Sequence, residues 1–309
     1  MTTPTTDLAA QAEVATAPKR RVGLRPPRRR VREHEEDYRV NWGLTALIVV
    51  ASLTVLVPLY FTVVMALKST QEAATGTGFG LPWPLRFENF VEAWTLTSFH
   101  RALIISALIT AATVAGLIFL ASIAAFAIAR NWEHRLFRWS YFYLLAAMFI
   151  PFPVIALPQI KLMSLASLSN PVGVAILHIL FGLSFNILLY SAFIRSIPFE
   201  LEESARLDGA STWQVFWRLI FPLLAPMNAT VGIFAFLASW NDFMMPSLII
   251  ANPAQATIPV VQNIFQSQFS ANYNVAFASY LMAMAPTVVA YLFAQRWVMS
   301  GVTRGAIKG

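Results

Sequence analysis

The sequence predicts an all-α integral membrane protein of six transmembrane helices with both termini cytoplasmic. Composition is the first reason: of 309 residues, 57% are hydrophobic and only 12% charged, with mean hydropathy +0.61, too apolar for an ordinary soluble domain. Six apolar runs are the second, each reaching the roughly 20 residues that a hydrocarbon core of about 30 Å demands. Charge is the third, because Lys and Arg collect on alternate connections between those runs.

The runs are 42–67, 102–129, 140–160, 172–194, 223–250 and 275–299. The third contains Pro151, Pro153 and Pro158, each without an N–H donor, so that span is expected to be kinked or partly unwound. Residues 1–40 precede the first run and hold nine basic residues between Lys19 and Arg39. If this tail is cytoplasmic, the even connections and the carboxyl end are too, and of 22 Lys and Arg only Lys68, Arg86, Arg101 and Lys161 fall outside. Three of those four sit at helix ends, where long side chains snorkel.

The tail reads as a disordered, topology-setting segment facing lipid headgroups. A nucleic-acid arm is the other reading of its Pro-rich basic stretch, but the topology reading accounts for the same charges, and no nucleic-acid partner is expected. No signal peptide is visible, since the first apolar run starts some forty residues in and is long enough to span. The absence of cysteine excludes disulfides and thiolate metal sites. Residues 301–309 read as a short cytoplasmic tail, which leaves 41–300 as the membrane domain.

Two long outer connections, 69–101 and 252–274, either receive an external partner or cap the bundle. The first contains Phe87-Glu88-Asn89-Phe90, which opens a helical stretch to Trp94. The inner connection 197–221 is more informative. Pro198 suits a first helical position, and Glu200, Glu202 and Glu203 follow where the positive end of the helix dipole favours carboxylates. Glu202 and Arg206 stand four apart on one face. Gly209 then ends the helix, tolerating left-handed dihedrals. Ser211 with Gln214 forms a capping-box pattern that opens a second helix, with Trp213, Phe216, Leu219 and Ile220 as its apolar positions, and Pro222 closes it. On spacing alone, this helix–turn–helix is equally an interfacial amphipathic segment.

From Glu203 onward the chain resembles the EAA motif of bacterial ATP-driven importer permeases. The pattern is Glu203, Ser204, Ala205, three positions, Gly209, nine positions, then Leu219, Phe221 and Pro222, with Asp208-Gly209-Ala210 in the form common in carbohydrate importers. Departures are mild: Ser204 for Ala, Leu219 for Ile and Phe221 for Leu. Trp240-Asn241-Asp242-Phe243 and the ending Gly301-Val302-Thr303-Arg304-Gly305 are similar to the smaller permease subunit of the maltose importer and its sugar-transporting relatives. The resemblance covers residues 41–309. Ile105-Ser106 stands where relatives often carry Asn-Ser.

The resemblance implies the type I ABC importer permease fold and a permease that hydrolyses nothing. In that family the EAA helix sits in a groove of a cytoplasmic ATPase and moves with it. Glu203, Ser204, Ala205, Asp208, Gly209, Ala210, Phe216 and Pro222 are the candidate ATPase-coupling residues. The implied partners are a second homologous permease subunit, two ATP-binding subunits that hold ATP and Mg, an extracellular solute-binding protein, a sugar cargo and membrane lipid. No cofactor is expected on this chain, which has no phosphate-cradling Gly-x-x-x-x-Gly-Lys-Ser/Thr loop.

Asp242 is the one carboxylate inside a predicted span, where a charge is costly unless it faces a cavity or partner. It either contacts sugar together with Trp240 and Asn241, the candidate cargo path, or fixes a helix end or the partner subunit. His178 and Asn186 read as interhelical hydrogen-bonding groups, and Phe and Trp at span ends as interface anchors. A secondary transporter would need ionisable residues in several spans, and an intramembrane enzyme would need a nucleophile–base pair or metal cluster there. Both leave the EAA helix unexplained. Within the importer reading, glycerol phosphate, a polyol or an oligosaccharide unlike maltose is the alternative cargo.

Overall fold

The computed structural model describes residues 41–267 and 272–306. The expected basic tail, residues 1–40, lies outside them, as do residues 307–309. The chain divides into two units, 1–51 and 52–309. The described part of the first is the opening of helix α1 (Trp42–Ala66).

After α1 come α2 (Thr70–Thr75), α3 (Glu88–Leu96) and the long α4 (Phe99–Arg130). Next follow α5 (Arg135–Ala147), α6 (Phe152–Leu165) and α7 (Pro171–Arg195). The inner connection supplies α8 (Glu200–Leu207), α9 (Thr212–Val215), a π-helical turn Phe216–Ile220 and α10 (Phe221–Leu223). Then come α11 (Ala225–Trp240), α12 (Met244–Ile249), α13 (Ile258–Gln262), α14 (Ile264–Ser267) and α15 (Tyr273–Ala306). Helices are the only regular elements among the described residues.

Four helices are long and apolar enough to cross a bilayer by themselves, and the count is six if each of two bent pairs is one span. Runs one, two, four and six correspond to α1, α4, α7 and α15, with ends shifted by a few residues. α15 continues to Ala306, past the boundary expected at 299. Run three is more disrupted than a kink. α5 and α6 meet at 103° across residues 148–151, where Pro151 and Pro153 remove two donors from the ladder in quick succession. Run five is also discontinuous. The chain bends by 73° at Leu224, between Pro222 and Pro226, and breaks again at 241–243 before α12.

The core is the packing of α4, α7 and α11. Gly116 on α4 faces Ile179, and Gly182 on α7 faces Leu117; a Cβ at either glycine would lie 2.4 Å or 2.7 Å from a methyl of its neighbour. These reciprocal gaps let the two backbones approach, as small residues do between membrane helices. Tyr190, Ile194, Val231 and Leu224 are fully buried against this pair.

A second cluster joins the end of α1 to α3 and α15. Asn89 is buried there, donating through Nδ2 to the carbonyls of Ala66 and Lys68, both at 2.8 Å, and accepting from Asn274 Nδ2 at 2.8 Å. Lys68 does not snorkel. Its side chain is buried and donates to the Thr77 carbonyl at 2.6 Å, within the loop that α2 opens.

Candidate functional site

The inner connection is built from local signals. Pro198 lies two residues ahead of α8, not at its first position; the Phe199 carbonyl accepts the Glu202 and Glu203 amides instead. At the other end Gly209 takes φ +84°, its N–H donates to the Arg206 carbonyl, and the Ala210 N–H reaches back to Ala205. That is a Schellman turn, and it satisfies carbonyls the helix end leaves open. Nothing lies within 4 Å of a Cβ placed on Gly209, so dihedral and not space demands glycine.

Ser211 and Gln214 close their capping box, with the Ser211 N–H on Gln214 Oε1 at 2.7 Å and the Gln214 N–H on Ser211 Oγ at 3.3 Å. The second helix is not a plain α-helix. It passes into the π turn, which buries Phe216 and Ile220 and leaves Trp213 61% exposed.

Ser204, Ala205, Asp208, Gly209 and Ala210 line one recess of about 470 Å³, shared with Leu201, Gln214 and Arg218. Glu203 is exposed on the same short helix. Phe216 is set behind it, its ring 5.2 Å from Phe126 and 4.8 Å from Trp217, and Pro222 lies farther on in α10.

Sequence reasoning missed the group that holds this connection to the bundle. Glu202 is completely buried, and Arg130, the last residue of α4, donates to it from Nε at 2.6 Å. Arg130 also donates from Nη2 to the Ile197 carbonyl at 3.2 Å. Arg206, the expected i,i+4 partner, stands off at 3.8 Å and is 44% exposed. The Phe199 ring lies under both guanidiniums, at 5.7 Å and 5.8 Å. The signal for Arg130 was its place as the basic residue in the last turn of a span. Its pairing with a carboxylate 72 residues away was not visible.

At the break in run five, Asp242 Oδ1 accepts from the N–H of Met244 at 3.0 Å and caps α12. Its Oδ2 bonds His178 Nε2 at 2.8 Å, His178 Nδ1 meets Ser239 Oγ at 3.0 Å, and Ser239 meets Thr110 at 3.3 Å. His178 is thus an interhelical group. Asn186 is not: its Nδ2 donates within α7 to the Gly182 carbonyl.

The three candidate cargo residues separate. Trp240 is 5% exposed, stacks on Phe236 at 5.5 Å and donates from Nε1 to the Ala283 carbonyl. With Asn241 it lines a cavity of about 290 Å³ against α15. Asp242 lines a different cavity, of about 470 Å³, between α4 and α7. Among the described residues no group of three His, Cys, Asp or Glu could hold a metal ion.

Residues 117–304 match the model of the binding-protein-dependent transport system inner membrane component family. The chain is 32% identical over 277 residues to the multiple sugar-binding transport system permease protein MsmG of Streptococcus mutans, covering 89% of this chain and 99% of that one. It is 31% identical over 268 residues to the melibiose/raffinose/stachyose import permease protein MelC of Bacillus subtilis, covering 86% and 96%. Its fold is that of a subunit in a bacterial ABC transporter that imports alginate, with TM-score 0.71 at 21% identity over 83% of this chain and 96% of the other.

Proposed function

The chain belongs to the binding-protein-dependent transport inner-membrane family, and from that premise we propose that it is the permease subunit of an ATP-driven sugar importer, forming half of the translocation pore. As a member of that family it is a transport component of the membrane and not an enzyme. ATP and Mg belong to two partner ATPase chains, a second permease completes the pore, and an external binding protein delivers the sugar. The relatives named for multiple sugars and for melibiose, raffinose and stachyose support a carbohydrate cargo. Residues 1–40, 197–221 and 301–309 then face the cytoplasm.

The observation that carries this reading is the recess at the Gly209 turn. It gathers Ser204, Ala205, Asp208, Gly209 and Ala210 beside an exposed Glu203 on a short helix pinned to α4. A pinned helix transmits displacement, since closure of the ATPases shifts the pore only through contacts that differ between the two states. Glu203 supplies the polar contact to the ATPase, Gly209 the turn, and Ala205 and Ala210 the close approach. Phe216 and Pro222 fix the aromatic base of the loop. For cargo, Asp242 is the member of the Trp240-Asn241-Asp242 set placed beside the α4–α7 cavity.

The test is cross-linking. The chain has no cysteine, so Ser204→Cys in the purified complex offers one thiol on this subunit. It should cross-link to an ATPase subunit and lose that cross-link when Glu203 is also replaced by Ala. Sugar transport by this polypeptide alone, without ATPase chains, would refute the reading.

A further inference from the structure

The loop between α2 and α3 presents an apolar face that none of the described residues covers. From Gly76 to Leu85 there is no charged residue, and large apolar side chains stand exposed at every second position: Phe79, Leu81, Trp83, Leu85 and Phe87. Leu81 is 81% and Trp83 83% exposed, while Pro82 between them is buried. The loop is therefore held from one side and displays the other. Three hydrogen bonds hold it to the end of α1: Lys68 Nζ to the Thr77 carbonyl at 2.6 Å, the Tyr60 hydroxyl to the Phe79 carbonyl at 2.8 Å, and the Arg86 N–H to the Leu67 carbonyl at 2.9 Å. The Phe79 ring also meets Phe61 edge-on, with centroids 5.7 Å apart.

A patch of this kind belongs against a membrane or another protein, and the place where the loop is held decides between them. Tyr60 lies about 9 Å back along α1 from Ala66, so the loop folds down beside a helix able to cross a bilayer and does not project away from it. That depth matches the ~5–10 Å to which interfacial apolar groups enter the boundary between headgroups and acyl chains. Tyr60 and Phe79, joined by their bond, are both exposed, so the apolar face of the loop continues the exposed surface of α1.

The composition fits the headgroup zone. Trp83 and Tyr60 are the aromatic types enriched there, Arg86 closes the loop with a cation, and Pro82 and Pro84 bring no N–H donors into a medium poor in water. The Trp83 indole N–H has no partner among the described residues and is left to donate to a phosphate or ester oxygen. We propose that residues 79–87 are a lipid-interface anchor, seated in the headgroup layer at that end of α1, with Leu81 and Trp83 entering the acyl boundary. Through its three bonds the anchor sets the level of the α1 end in the bilayer. The inference needs only that α1 spans the membrane, and it stands whatever the cargo.

The test is spin-label accessibility in the complete complex, with cysteine-free partner subunits, in nanodiscs of phosphatidylethanolamine and phosphatidylglycerol. This chain has no cysteine, so Leu81→Cys and Trp83→Cys each carry one nitroxide on it. Both side chains are so exposed that neither exchange removes packing from the fold. Collisions with oxygen, which enters lipid, and with a neutral nickel chelate, which stays in water, are read relative to the same label free in buffer. At both positions oxygen collisions should exceed those with the nickel chelate. Equal relative rates for the two would place the loop in water and overturn the inference. Suppression of both would place it under another protein chain and overturn it as well.

Discussion

Removing the Arg130 side chain should detach the inner connection from the bundle without unfolding the membrane domain. Glu202 is fully buried and Arg130 only 11% exposed, so solvent screens their 2.6 Å bond very little. Deleting one partner of such a pair leaves a charge without compensation, at a cost of about 3–5 kcal/mol. Arg130→Ala also removes a donor from the Ile197 carbonyl, about 1 kcal/mol, and a guanidinium above Phe199.

Arg206 offsets part of this loss by swinging in from 3.8 Å, which places the net effect near the lower figure, about 3 kcal/mol. That corresponds to a local opening constant for α8 raised about a hundredfold. Hydrogen exchange followed by mass spectrometry on peptides spanning residues 197–209 reads this directly, against peptides of α4 and α7 as reference. Protection should fall in the connection alone, with transport lost and basal ATPase activity retained by the assembled complex. In a double-mutant cycle, Glu202→Leu combined with Arg130→Met should recover most of the lost protection, because no charge remains buried. Unchanged protection in Arg130→Ala, or a strictly additive cycle, would refute the reasoning.

Gly209→Ala should weaken the turn by about 1 kcal/mol, because its φ of +84° is costly for a residue with a Cβ although space is free. Exchange at the Gly209 and Ala210 amides is the readout, and Gly209→Asn, which tolerates this region, should lose less. Gly182→Ala places a methyl 2.7 Å from Leu117 and should destabilise the α4–α7 contact by about 1–3 kcal/mol, seen as a lower midpoint of thermal aggregation in detergent. Leu117→Ala should relieve part of that clash.

The Glu72 carboxylate is held below its ordinary range by the Ser69 backbone N–H and then the Ser69 hydroxyl, with Lys68 and Arg86 adding smaller attraction. Its folded pKa being the lower one, the α2 cap is fully stabilised above the ordinary carboxylate value of about 4.3 and is lost as pH falls through the depressed value. Exchange at the Glu72 amide, corrected for intrinsic rate, should therefore be flat from neutral pH down to about 4 and rise only below it.

The division between what the sequence determined and what needed the folded chain follows the reach of each interaction. Residence in a bilayer, the positions of the long spans, the Gly209 turn and the Ser211–Gln214 box were all legible. Each depends on atoms within a few residues, or on the summed cost of putting a segment in hydrocarbon. The prolines at 151 and 153 marked an irregular span, but the 103° turn there depends on what the two half-helices pack against.

Partner choice was decided by the tertiary structure. Spacing favoured Arg206 for Glu202, yet burial brought Arg130 closer, because the end of α4 and the start of α8 converge over the Ile197 carbonyl. Trp240, Asn241 and Asp242 read as one group in sequence. The break after Trp240 sets them on two cavities, since a chain leaving its helix no longer holds its side chains to a shared face. Asn186 read in the sequence as an interhelical group, yet its amide donates within its own helix; a polar residue in an apolar run becomes informative only when the packed helices show which partner it has found.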